Sequence, residues 1–183
     1  NYDRKDAIIA LGGGVVGAIA GFLASIYMRG IPYVQVPTTL LAMVDSSIGG
    51  KTGVDLPSGK NLLGTFAQAK AIFIDPSFLK TLPKNQIRNG LAEIIKCGVI
   101  KDKDLFNFIE RNLEKILSLN STSIHHIITR SVAIKTTIVE KDEKEANIRM
   151  LLNYGHTFGH ALERLSGYKI SSAFVSVGGS HIS

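Results

Sequence analysis

The sequence has one cysteine, Cys97, in 183 residues, which excludes an internal disulfide and points to a reducing compartment. It has no apolar run as long as a bilayer span. Its opening, NYDRKDAIIALGGG, places charge before a short apolar stretch and then glycines, without the cleavage site of a secretory leader. A soluble, cytoplasmic protein with no membrane partner is the expectation. A basic stripe interleaved with aromatics is also missing: the formal charge is +6, yet the densest charge run, EKDEKE at 140–145, mixes both signs. Nucleic acid is therefore disfavoured, and a small anionic substrate is the partner that such a charge balance suits. No internal repeat or low-complexity tract interrupts the chain.

The chain is 45% apolar, enough to bury the core of one large domain or two small ones. Two styles of sequence meet near residue 84. Before it, AIIAL (7–11), YVQVP (33–37) and AIFID (71–75) read as buried strands between helices and loops, the pattern of an α/β unit with a parallel sheet. After it, Leu91, Ile94, Ile95 and Val99 recur at helical spacing, and 105–119 and 124–139 continue in the same style. The expected division is an α/β part at 1–84 and an all-α part at 85–183.

Several familiar motifs are approached and missed. Gly12, Gly14 and Gly17 fit G-x-G-x-x-G between a strand and a helix, where backbone N–H groups can face a pyrophosphate. No Asp or Glu follows about twenty residues later to hold an adenosine ribose. Tight packing is the competing explanation of the glycines. The segment from Val36 to Asn61 reads as a long irregular binding loop, with Thr38, Thr39, Asp45, Lys51 and Lys60 as polar groups. Its GGKTG is not a Walker loop, because Asp45 stands where the first glycine belongs. In LLNYGHTFGH, His156 and His160 stand four apart, Glu163 continues their helical face, and Asn153 lies one turn earlier. This suits a metal site with few ligands and an open position, with Glu93 as a further carboxylate. Thr157 occupies the position of a metalloprotease's general base, which disfavours peptide hydrolysis. Locally, Glu93 and Lys96 read as an ordinary half-exposed helix pair, and Lys135 and Arg149 as surface residues.

Taken in order, GGGVVG, RGIPYVQVPTTLLAMVDSSIGGKTGV, GKNLLGTF, LKTLP, GLAEIIKCG and LLNYGHTFGHALE resemble the 3-dehydroquinate synthases, over nearly all of residues 7–168. The resemblance implies an NAD-binding α/β part followed by a helical metal- and substrate-binding part. It implies a lyase of the shikimate pathway of aromatic amino acid biosynthesis, acting on a small sugar phosphate with NAD and a divalent metal, zinc or cobalt. For NAD it points to Gly13, Gly14, Val15, Val16, Gly17, Thr38, Thr39, Lys51 and Lys60, with Phe78, Leu79, Lys80 and Thr81 nearby. Glu93 and His156 are the implied metal ligands. Asp45, Lys51, Lys60, Asn61, Lys96, Lys135, Arg149, Asn153 and His160 are the implied substrate contacts. A homodimer is compatible with this reading.

The chain departs from the family's pattern in three ways. Ala18 stands where the family carries Asp, and KISSAFVSVGGSHIS has no histidine where the last metal ligand belongs. The chain is also short at both ends, so that a partial synthase, inactive alone, is expected, with exposed apolar sheet surface. A related sugar-phosphate cyclase such as 2-deoxy-scyllo-inosose synthase, a polyol dehydrogenase of the same fold, and a non-catalytic remnant are the alternatives.

Overall fold

The computed structural model describes residues 3–155. In chain order its elements are β1 (Ile8–Gly12), α1 (Gly14–Ile26), β2 (Tyr33–Pro37), β3 (Lys51–Leu56), β4 (Gly59–Phe66), β5 (Ala71–Ile72), α2 (Lys84–Lys101), α3 (Lys103–Leu117) and α4 (Ser121–Lys141). The architecture is α/β followed by helices. β1, β2 and β5 form a parallel sheet in the order β1-β2-β5, with Ile8 opposite Tyr33 and Val34 opposite Ala71. β5 is shorter than the AIFID pattern suggests. Asp75 accepts a hydrogen bond from the Ser77 N–H at 2.8 Å, and Pro76 opens a 3-10 turn at Pro76–Thr81, so the chain turns away from the sheet early.

α1 lies against the sheet and against β3 through its small residues, Gly17, Gly21 and Ala24. Val15, Val16, Ile19, Leu23 and Ile26 of the same helix are exposed.

The stretch read as an irregular loop is ordered. Ala42–Ser46 forms a buried π-helical turn, and β3 and β4 pair antiparallel, with Lys51 opposite Phe66 and a bulge between Val54 and Leu56. Pro57 and Ser58 make the connection between the strands. Lys51, Gly53 and Lys60 thus belong to a bulged hairpin, whereas Thr38 and Thr39 precede the π-helical turn, Asp45 lies in it and Gly49 and Gly50 follow it.

In the helical part, Asp102 closes α2 and accepts from the Leu105 N–H at 3.0 Å to open α3, and Asn120 caps α4 through the Ser123 N–H at 3.1 Å. The core runs through Ile87, Leu91, Ile94, Leu105, Ile109, Ile116, Ile124 and Ile127, and also takes in Leu40, Met43, Val44 and Leu79. Burial of these last four ties the π-helical turn and the 3-10 turn to the helices. No helix among the described residues is long and apolar enough to cross a membrane.

A short 3-10 helix, Ile148–Asn153, follows α4. Tyr154 is extended and Gly155 has φ +82°, so Asn153 does not run on in a regular helix toward His156. This corrects the single ladder expected from Asn153 onward. His156, His160 and Glu163 lie outside the described residues.

Candidate active site

The sequence order β1, glycine turn, α1 puts Gly13 at the helix cap, where it brings no side chain to the first turn of N–H groups. The Thr38 N–H donates to the Gly12 carbonyl at 2.9 Å, which holds the Thr38–Thr39 corner beside the turn. Thr39 Oγ1 then accepts from the Ala42 N–H at 3.1 Å at the entry to the π-helical turn. A Cβ on Gly14 would stand 2.7 Å from Ser46 Oγ, and one on Gly17 would run into the Gln35 amide. Close approach of polar side chains is thus one reason for glycine here, alongside any ligand.

Between α1 and the hairpin lies a cavity of about 590 Å³, whose lining includes Val15, Ala18, Ile19, Lys51, Thr52 and Glu145. Of the implied NAD contacts, Val15 and Lys51 line it, and Gly13, Gly14, Val16 and Gly17 form the adjoining turn. Lys60 and Asn61 lie on β4. Phe78, Leu79, Lys80 and Thr81 do not line the cavity. They form the 3-10 turn whose Leu79 is buried in the helical core.

A buried charge cluster joins the two parts of the chain. Lys135, only 2% exposed, donates from Nζ to Asp45 Oδ1 at 2.5 Å and to the Asp45 carbonyl at 2.6 Å. Glu93 and Lys96 form a buried ion pair one turn apart on α2. Arg149 is also buried: its Nη2 donates to the Gly49 carbonyl at 2.9 Å, and its Nη1 to the Glu143 carbonyl. Lys135 and Arg149 are therefore not surface residues, and Glu93 and Lys96 are not a half-exposed pair. Local hydropathy does not register that α2, α4 and the 3-10 helix converge on the π-helical turn.

Burial pushes the Lys135 ammonium below the ordinary lysine value against the pull of Asp45. Burial likewise lowers Arg149, although carboxylates led by Glu145 and Asp45 oppose it. The Cys97 thiol is pushed up to about 11, first by burial and then by Asp45, so it stays a neutral core group. Among the described residues, no three His, Cys, Asp or Glu side chains are grouped as a metal site.

Four residues of this region were not singled out from the sequence. Asp142 accepts from the N–H groups of Ala146, Asn147 and Arg149 at 2.8, 2.6 and 3.0 Å. Glu143 accepts from Gln68 Nε2 at 2.9 Å, Glu145 pairs with Lys51, and Gln35 Nε2 reaches the Ser47 carbonyl at 3.2 Å. The run EKDEKE thus turns its acids inward as well as outward. The available signal was that Lys135 and Arg149 flank it, since buried cations need nearby carboxylates.

Comparison with known proteins agrees with this layout. Residues 1–89 match the family model "3-dehydroquinate synthase N-terminal", and residues 90–178 match "3-dehydroquinate synthase C-terminal". The 3-dehydroquinate synthase of Dictyoglomus thermophilum is 58% identical over 167 residues, covering 91% of this chain and 47% of that protein. That of Prochlorococcus marinus is 58% identical over 168 residues, covering 91% and 46%. Among solved structures, 2-epi-5-epi-valiolone synthase from Streptomyces hygroscopicus, with NAD+ and Zn2+ bound, superposes with a TM-score of 0.82 at 36% identity, covering 92% of this chain and 48% of that one. A 2-deoxy-scyllo-inosose synthase, complexed with carbaglucose-6-phosphate, NAD+ and Co2+, gives 0.84 at 33%, covering 94% and 48%. The chain spans about half the length of the curated relatives it matches. With both family models matched in order along one continuous fold, the chain belongs to the 3-dehydroquinate synthase family.

Proposed function

We propose that the chain forms the cofactor and substrate cleft of a 3-dehydroquinate synthase. Such an enzyme converts 3-deoxy-D-arabino-heptulosonate 7-phosphate to 3-dehydroquinate and phosphate with NAD and a divalent metal, zinc or cobalt. The supporting observation is the buried cluster of Asp45, Glu93, Lys96, Lys135 and Arg149, set beside Lys51 and the glycine turn. On this reading residues 1–84 serve NAD, and residues 85–183 serve metal and substrate. Cyclases of similar structure carry NAD+ with Zn2+ or Co2+, and one holds a sugar-phosphate analogue.

The residues present suit both groups. The cavity adjoins a helix start without a capping side chain, which suits a pyrophosphate, and Val15, Ala18 and Ile19 give it an apolar wall. Glu93 is a buried carboxylate paired with Lys96, and its oxygen donors suit a divalent metal as well as an ammonium, which fits it as a metal ligand, with His156 as the second. When bound, these groups supply hydride transfer and polarisation of a substrate oxygen.

The chain's own work is to bind and orient. Lys96, Lys135 and Arg149 balance the substrate's carboxylate and phosphate where water is scarce and charge-assisted hydrogen bonds are strong. Asp45 holds Lys135 in place. Lys51, Lys60, Asn61, Asn153 and His160 complete the proposed substrate shell.

The test is a chimera in which this sequence replaces the matched 167 residues of the Dictyoglomus thermophilum synthase. Expected is NAD- and zinc-dependent phosphate release from the heptulosonate phosphate, with none from glucose 6-phosphate. Release from glucose 6-phosphate alone would favour the inosose synthase reading, and absence of both would refute the proposal.

A further inference from the structure

The central strand β2 carries a glutamine at a position where an aliphatic side chain would pack as well. Tyr33, Gln35 and Pro37 are its buried residues, and Gln35 is only 6% exposed. An amide is costly there unless it is bonded.

Gln35 reaches both sides of the proposed cleft without lining the cavity itself. Its Nε2 donates to the Ser47 carbonyl at 3.2 Å, and that bond fixes which end of the amide carries the hydrogens. Its Oε1 faces α1, where a Cβ on Gly17 would collide with it. The neighbouring glycines of α1 also rest on polar side chains: a Cβ on Gly14 would lie 2.7 Å from Ser46 Oγ, and one on Gly21 2.9 Å from the Tyr33 hydroxyl. The start of α1 is therefore seated on Ser46, Gln35 and Tyr33 in succession. Gln35 ties that seat to the end of the π-helical turn. There the Ser47 N–H donates to the Ala42 carbonyl, and the Ile48 N–H to the Asp45 carbonyl that also receives Lys135. The strand beneath is held on both edges, with Gln35 opposite Ala10 of β1 and Ile72 of β5, so the amide has a fixed base.

We propose that Gln35 is a positioning residue that sets where the glycine turn of α1 stands relative to Asp45 and Lys135. It acts through Gly17 and Ser47. Hydride transfer between a dinucleotide on the glycine turn and a substrate at Asp45 and Lys135 depends on that separation more steeply than the binding of either does. This rests on the reading of the cleft as a synthase site.

Gln35→Met keeps the length of the side chain and removes the donor, and Gln35→Leu does so with a branched side chain. In the Dictyoglomus thermophilum chimera loaded with NAD and zinc, rapid mixing with excess heptulosonate phosphate is followed through the nicotinamide absorbance. The rate constant reports positioning, and the amplitude reports the fraction of competent enzyme. Both variants are expected to lose about tenfold in the rate constant. Amplitude and both KM values should stay within about twofold of the parent. In the 183-residue chain, amide exchange is expected to quicken at Ser47 and Ile48 and to hold its pace in α3. A lower amplitude at the parent's rate constant, unchanged exchange at Ser47 and Ile48, or failure of both variants to fold would each overturn the proposal. A parent chimera without turnover removes the synthase reading and this proposal with it. An active parent whose variants keep its rate constant removes only the role of Gln35.

Discussion

Lys135 cannot lose its partner without leaving a bare charge in the core. Its ammonium lies between the Asp45 carboxylate and the Asp45 carbonyl and is almost fully buried. Removing either charge strands the other, which costs about 3–5 kcal/mol in such pairs. Lys135→Met and Asp45→Asn are each expected to lose about that much in urea unfolding, and the double variant less than the sum. Asp142 carries an acid dependence. Burial pushes its carboxyl up, but the N–H groups of Arg149, Ala146 and Asn147 and the Arg149 charge outweigh this, leaving it below the usual 3.8. A depressed carboxyl contributes stability that is full above its unfolded value and is lost as pH falls through the lower folded value. Urea stability measured downward from about pH 5 should therefore fall below 3.8, and Asp142→Asn should flatten that fall. None of this was legible locally. Lys135 sits in a helix whose neighbours Thr136 and Thr137 give no hint of burial, and only the collinear motifs carried it into the site.

At the scale of elements, α2 can approach the π-helical turn because Gly90 has no side chain. A Cβ there would stand 2.6 Å from Leu40 Cβ and 2.7 Å from the Leu41 nitrogen, so backbone as well as side chain would have to move. Gly90→Ala is expected to cost about 1–3 kcal/mol despite the better helix propensity of alanine, as an overpacked core does. A denaturant midpoint lowered with an unchanged slope would confirm that packing alone was lost. This contact explains which elements could be read in advance. β1, β2, α2, α3 and α4 were legible because each repeats its apolar period over several residues. The π-helical turn was not, since Leu40, Leu41, Met43 and Val44 are buried where α1, α2 and α4 all approach the turn and show neither period. The hairpin was hidden for a related reason: Gly53 and Gly64 face each other across it and look like loop residues in one dimension.

At the scale of the molecule, charge and apolar surface are arranged on opposite logics. The acids of EKDEKE tie the segment between α4 and the 3-10 helix to β3 and to the chain just after β4 through Glu145–Lys51 and Glu143–Gln68, which lets a basic chain hold its cations close to one cleft. Away from the cleft, Ile9 and Leu11 of β1 and Val16, Leu23 and Ile26 of α1 remain exposed among the described residues. Parallel sheets are normally covered on both faces, so this surface favours self-association of the isolated chain. Leu23 and Ile26 are about half exposed and make little use of the core, so charging them should act on association and hardly on folding. The double variant Leu23→Lys, Ile26→Lys is expected to shift the unfolding free energy by about 0.5 kcal/mol or less per site. The same variant should raise the concentration at which the chain sediments as a monomer and reduce binding of a hydrophobic dye. A large loss of stability would mean that these side chains are buried in the folded state in solution, and unchanged sedimentation would mean that association runs through another face.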